Sequence, residues 1–178
     1  MRRTLRWRRR IASVVRHPAT WIVVPALGFV LVSLHRVGAP PTDIHDWRQS
    51  VMLSVGRAFA CGQPATQPTM ELCGAKVTPM AMELPLYAYL GALFGRLSNP
   101  WVGARLAVIL AGCCAVVGIG LLALDLLPRK WTVAGRMAGT MGAGLVVVGS
   151  PLPRHWLGAL LPDPFAWGFV LLAAGVLA

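Results

Sequence analysis

The sequence contains little charge, and acidic residues are the scarcest part of it. Only 13% of the 178 residues are charged, and six of these are Asp or Glu. A soluble domain of this length usually carries about twice that charged fraction. With 56% hydrophobic residues and a mean hydropathy of +0.64, the composition indicates a chain that lies largely in lipid.

No pattern of stacking aromatics and no helix-turn-helix pattern accompanies the net charge of +11. Seven arginines instead fall within the first sixteen residues, directly before an apolar run. This is the positive-inside pattern of a cytoplasmic flank, which attracts anionic lipid headgroups. We therefore expect membrane lipid rather than nucleic acid as a partner, and residues 1–18 as a basic cytoplasmic tail.

Four apolar runs are predicted to cross the membrane, at residues 19–37, 103–127, 133–149 and from 165 onward. The first could instead be a cleaved signal peptide, but no small-x-small cleavage site follows Leu34. The predicted fold is all-α, a polytopic integral membrane protein with about four transmembrane helices and juxtamembrane helices on the outer surface. The last run has no charged or interfacial anchor after it, which indicates the front part of a longer protein.

Residues 38–102 are predicted to be the first outer loop, and 38–84 within it form a long polar connection. Within it, residues 46–60 have the apolar spacing of an amphipathic helix that lies on the membrane surface. The segment 62–80 is predicted to be loop. A helix over 84–97 is too short to span comfortably.

The membrane topology depends on whether the short helix over 84–97 crosses. If it crosses, Arg129 and Lys130 lie outside and Asp163 lies inside. If it stays at the outer surface, Arg129 and Lys130 lie inside, and Asp163 shares a face with Asp46. The positive-inside rule favours this second arrangement.

The four cysteines form two pairs along the chain. Cys61 and Cys73 lie in the polar loop, and if that loop faces the periplasm they either form a disulfide or remain two free thiols. Cys113 and Cys114 lie inside an apolar helix, with no His or carboxylate at helical spacing. We expect these two to be packing residues rather than metal ligands.

The densest cluster of ionisable side chains outside the N-terminus is the stretch 43–50, which contains Asp46. A carboxylate at the start of a surface helix can take a proton from a hydroxyl group or ligate a divalent cation. It can also simply cap the helix. Glu83 could likewise be only a partner of the helix dipole, and Asp163 only a turn or N-cap residue. Arginines on the same face suit a phosphate group.

These residues resemble a known family. Asp46-Trp47-Arg48-Gln49 resembles the D-W-R-Q signature of bacterial GT-C glycosyltransferases of the family 39 type, which are related to protein O-mannosyltransferases and to lipid A aminoarabinose transferases. The resemblance covers about residues 19–178. Its further segments follow in the family's order: Glu83-Leu84-Pro85-Leu86-Tyr87 for E-x-P-L-Y, Phe94-Gly95 and Ala104-Arg105-Leu106 for F-G…A-R-L, and Ser150-Pro151 and Pro162-Asp163 for S-P…P-D.

The resemblance implies an enzyme that transfers a sugar from a polyprenyl-phosphate donor to an acceptor at the outer face of the inner, cytoplasmic membrane. It implies that Asp46 is the general base or the group that positions the acceptor. Glu83 and Asp163 match its other acidic positions, and Glu83 matches one that helps to hold a divalent cation in some relatives. The implied substrate-binding residues are Arg48, Gln49 and Arg105. Neither the sugar nor the acceptor is implied.

Full members of this family have many more spans and a further outer domain. We therefore expect residues 19–178 to be the N-terminal part of a GT-C-type transmembrane domain, inactive by itself. The alternative is a non-catalytic membrane subunit or a transporter fragment, which would have the same spans without sugar transfer.

Overall fold

The computed structural model describes residues 17–34, 37, 46–62, 69–70, 78–79, 86–150 and 162–178. In these ranges the chain is almost entirely helical, which confirms the all-α prediction. A 3-10 turn, Pro18–Ile22, precedes six helices: α1 Val23–Leu34, α2 Asp46–Ala60, α3 Leu86–Gly95, α4 Pro100–Leu126, α5 Val133–Gly149 and α6 Pro162–Leu177.

One short β-ladder departs from the prediction that residues 62–80 are loop. Thr69–Met70 pairs antiparallel with Thr78–Pro79. Threonine at the first position of each segment suits an extended backbone, because its branched side chain fits a pleated surface. The ladder is two residues long, so it does not change the fold class.

Helix α4 is the element on which the bundle is built, since every other helix of the described chain packs against it. Its start is fixed by Asn99, whose side-chain oxygen accepts a hydrogen bond of 3.0 Å from the Val102 N–H. Pro100 occupies the first turn, where a backbone N–H has no acceptor within the helix, so proline loses no hydrogen bond there. Leu127 is extended before Pro128, which ends the helix. The 27 residues make a rod about 40 Å long.

Helices α3 and α4 form an antiparallel hairpin in which the two backbones nearly touch. Gly103 faces Gly91 and Gly95, and a Cβ atom on Gly103 would overlap the Gly91 carbonyl oxygen and the Gly95 backbone nitrogen. The predicted short helix over 84–97 is therefore a 10-residue helix held against the first turns of α4.

Glycines also bring α6 close to α4, and the two helices run in the same direction. The Gly168 backbone lies against Ala111, and Gly175 lies against Gly118. Small residues at such contacts are typical of helices packed in membranes, because they let backbones approach closely.

The opposite face of α4 is covered by α1 and α5, which both run antiparallel to it. Phe29 of α1 covers Gly112 of α4, whereas Ile22, nearer the N-terminus, lies against Gly120. Phe29 shares a buried cluster with Val116 and with Val147 of α5. The helix directions therefore alternate, with α1 and α5 pointing one way and α4 and α6 the other.

This alternation places Lys130 and Asp163 at opposite ends of the bundle. Phe165, two residues after Asp163, packs beside Ala107, whereas Lys130 follows the far end of α4. Ala107 and Leu126 are separated by roughly 30 Å along the helix axis, which is close to the thickness of a bilayer's hydrocarbon core.

Within the described ranges, α4 alone is both long and apolar enough to cross a membrane. Pro18–Leu34, Val133–Gly149 and Phe165–Leu177 are apolar but shorter. The described part of the chain is thus an all-helical bundle around one candidate membrane span.

The cysteines of the described chain are free thiols. Cys61 is exposed and forms no disulfide, so it is a free thiol, one of the two alternatives predicted for Cys61 and Cys73. Cys73 lies outside the described residues. Cys113 and Cys114 are half-buried within α4, as expected for packing residues.

Candidate active site

Helix α2 coincides with the predicted amphipathic helix, and its apolar face is buried against α3. Val55 and Phe59 form a cluster with Ala88 and Ala92. Gly56 allows close approach, since a Cβ atom there would lie 3.4 Å from the Ala88 carbonyl oxygen.

Three helices meet beside the first turns of α4. One buried cluster contains Met52 and Leu53 from the middle of α2, Tyr87 from the start of α3 and Phe165 from the start of α6. The Tyr87 and Phe165 rings lie 5.6 Å apart between centroids. Ala104, Ala107 and Val108 of α4 complete the cluster. We call this end of the bundle the convergence site.

The predicted catalytic carboxylates stand at or just before the helices that meet here. Asp46 is the first residue of α2, and Asp163 is the second residue of α6. Glu83 precedes α3 by three residues in the sequence and lies outside the described residues. Arg48 and Gln49 belong to the first turn of α2; the side chains of these two and of Asp46 also lie outside the described part.

Two of the predicted site residues have described side chains, Arg105 and Asp163, and both are half-buried. Asp163 lies in the first turn of α6, where the positive end of the helix dipole stabilises a carboxylate. Arg105 is on α4, one residue after Ala104 of the buried cluster, and is close enough to Tyr87 to act on it electrostatically. The structure therefore brings Arg105 and the start of α6 to the same level of the bundle.

Tyr87 is a site residue that the sequence interpretation did not single out. It is 2% exposed, and its hydroxyl group has no hydrogen-bond partner among the described residues. Burial raises the pKa of the Tyr87 hydroxyl, and the positive charge of Arg105 offsets only part of this effect. The group is thus a neutral phenol at physiological pH and can donate a hydrogen bond. The sequence feature that could have pointed to Tyr87 is its position in the Glu83–Tyr87 segment of the family resemblance.

A groove between α2, α3 and the start of α4 leads away from Tyr87. It encloses about 210 Å³ and is lined mainly by small and apolar residues, including Met52, Gly56 and Gly91. Its polar lining residues are Tyr87 and, at the turn between α3 and α4, Arg96, Ser98 and Asn99. Its described lining contains no carboxylate. We call it the α2–α3 groove.

The described residues do not by themselves assemble a divalent-cation site. No three His, Cys, Asp or Glu side chains come together in the part of the chain that the structure describes. At the convergence site they supply one carboxylate, Asp163, and Glu83 lies outside. The predicted cation stays a prediction.

Comparison of the chain with protein-family models, with curated proteins and with solved structures gives no significant match.

Proposed function

We propose that this protein is a membrane glycosyltransferase of the GT-C type, which transfers a sugar from a polyprenyl-phosphate donor to an acceptor at the outer face of the cytoplasmic membrane. The observation that supports it most is the convergence site. The middle of α2 and the starts of α3 and α6 pack together beside Ala104, the chain neighbour of Arg105. Helices that each carry or follow a residue matching one of the family's acidic positions thus meet in one cluster.

The outer surface of the bundle supports a location in lipid. Large apolar side chains point outward on three helices, with Leu31 of α1 and Val146 of α5 each 70% exposed and Val176 of α6 68% exposed. Soluble monomers rarely expose apolar surface on several sides at once. Together with the length of α4, this surface is the reason to place the helices in a bilayer.

In the proposed reaction, an acceptor hydroxyl oxygen attacks the anomeric carbon of the donor. The new carbon–oxygen bond forms as the bond from that carbon to the phosphate oxygen breaks, and polyprenyl phosphate leaves. Asp46 takes the hydroxyl proton as general base. Arg105 and Arg48 hold the phosphate as negative charge develops on the leaving oxygen, since a guanidinium group pairs well with phosphate oxygens.

Replacing Asp46 by Asn in the complete protein tests this proposal. A positioned general base contributes about 10²–10⁴-fold to rate, so we expect sugar transfer from polyprenyl-phosphate-linked sugars to fall by at least about a hundredfold. Asp125→Asn is the matched control, because Asp125 is exposed near the other end of α4. The control should transfer at the wild-type rate.

Two results would count against the enzyme. Transfer by Asp46→Asn at the wild-type rate would remove Asp46 from the mechanism. Absence of transfer by the well-folded wild-type protein from every polyprenyl-phosphate sugar supplied would favour a non-catalytic membrane subunit instead.

A further inference from the structure

The Tyr87 hydroxyl is a buried polar group that has no hydrogen-bond partner among the described residues. A buried hydroxyl with no partner destabilises a fold, whereas Phe would fill the same space without that penalty. The Tyr87 ring already packs as an apolar group, against Phe165. Packing thus explains the ring and leaves the hydroxyl unexplained, as expected for a group whose hydrogen-bond partner is a ligand.

The α2–α3 groove provides space for such a ligand next to Tyr87. Cavities of about 150 Å³ lined by apolar side chains bind small hydrocarbons, so a groove of about 210 Å³ has room for part of an apolar chain. Glycines at 56, 91 and 95 line it and leave backbone rather than bulky side chains along its length.

The charges near the groove favour an anionic head group. Arg105 acts on Tyr87 at one end, and Arg96 lines the other. Phosphate oxygens accept hydrogen bonds from a neutral phenol and pair with guanidinium groups, whereas an ammonium head group beside Tyr87 would meet the positive charge of Arg105.

We propose that the α2–α3 groove binds the apolar tail of a lipid phosphate and that the Tyr87 hydroxyl donates a hydrogen bond to one of its phosphate oxygens. This inference rests on the proposed function for the class of lipid. It adds Tyr87 as a binding residue and assigns the tail to a place in the fold.

Binding of farnesyl phosphate to the intact protein in nanodiscs tests the inference, with farnesol and inorganic phosphate as separate ligands. We expect Tyr87→Phe to weaken farnesyl phosphate binding by about tenfold or more, as for loss of a hydrogen bond to a charged group, and to leave farnesol binding unchanged. Its thermal unfolding midpoint should equal or exceed that of the wild type. Tyr89→Phe is the matched control: it makes the same chemical change on α3 at a residue that is 46% exposed.

A second variant tests the tail position. Ala60 lies at the exposed rim of the groove, so Ala60→Trp should obstruct it and weaken both farnesyl phosphate and farnesol. Equal farnesyl phosphate affinity in wild type and Tyr87→Phe would overturn the inference, as would a loss of thermal stability in Tyr87→Phe, because the hydroxyl would then have a partner within the protein.

The two proposals fail in distinguishable ways. If sugar transfer depends on Asp46 and farnesyl phosphate binds Tyr87→Phe as well as wild type, only the assignment of Tyr87 is wrong. If farnesyl phosphate binds through Tyr87 and no sugar is transferred, the lipid-phosphate site stands without the transferase.

Discussion

Tyr87 combines a titratable hydroxyl with a buried position, so its ionisation is linked to folding. Burial raises its pKa above the ordinary value of 10.0. Below that pH the phenol is neutral in both the folded and the unfolded chain, and its contribution to stability is fully present. Above about pH 10 the unfolded chain releases the proton and the folded chain keeps it, so the free energy of unfolding decreases as pH rises.

This linkage predicts a difference between wild type and Tyr87→Phe at alkaline pH. One proton released on unfolding lowers the free energy of unfolding by about 1.4 kcal/mol per pH unit. Between pH 8 and pH 11 the wild type should therefore lose about 1.4 kcal/mol more than Tyr87→Phe, measured by equilibrium unfolding in detergent. Tyr89→Phe should follow the wild type. Parallel curves for wild type and Tyr87→Phe would show that the folded state does not suppress this ionisation.

At the residue scale, the carboxylates could be proposed from the sequence, and the buried tyrosine could not. Asp46 and Asp163 are visible as rare charges in an apolar chain. Asp46 begins α2 as predicted, whereas α6 begins at Pro162, three residues before the predicted run. The burial of Tyr87 depends on Phe165, which is distant in the sequence and reaches it only because α6 lies beside α4. No local pattern carries that information.

At the scale of elements, the hairpin of α3 and α4 depends on the absence of a side chain at Gly103. Gly103→Ala would place a methyl group on the Gly91 carbonyl oxygen and the Gly95 nitrogen, both backbone atoms that cannot rotate away. We expect a loss of about 1–3 kcal/mol or more in unfolding free energy, as for an overpacked core. Thermal unfolding in detergent measures it.

Gly142→Ala is the control for this substitution. Gly142 lies in α5, and a Cβ atom there has no neighbour within 4 Å. Alanine forms helix more readily than glycine by about 1 kcal/mol, so this variant should be unchanged or slightly more stable. Equal destabilisation by the two variants would mean that helix close approach is not what Gly103 provides.

The helix bounds were predicted accurately where the apolar periodicity and the helix-breaking residues agreed. Helix α2 has the predicted ends because Asp46 begins the amphipathic pattern and Gly62, with φ of 93°, follows its last turn. Helix α4 begins three residues before the predicted span, since Asn99 and Pro100 extend it past the apolar run. The α2–α3 groove could not be predicted, because it is formed by glycines on different helices that only tertiary packing brings together.

For the whole molecule, the helix directions make a prediction about the two sides of the membrane. The convergence site and the turn that holds Arg129 and Lys130 lie at opposite ends of α4. If α4 spans, the positive-inside rule places the basic turn in the cytoplasm and Asp163 outside. Helix α3 does not have to cross, because its 10 residues are only about 15 Å long.

Single cysteines at 46, 130 and 163, in a chain whose native cysteines are replaced, measure this arrangement in intact cells. A membrane-impermeant thiol reagent should label Asp46→Cys and Asp163→Cys from outside, and label Lys130→Cys only after the cells are opened. Because 130 and 163 occupy opposite ends of one rigid bundle, labelling of both from outside would mean that α4 does not span the membrane. Labelling of 130 but not 163 from outside would mean that the bundle has the opposite orientation in the membrane. The convergence site would then lie in the cytoplasm, where a donor at the outer face could not reach it.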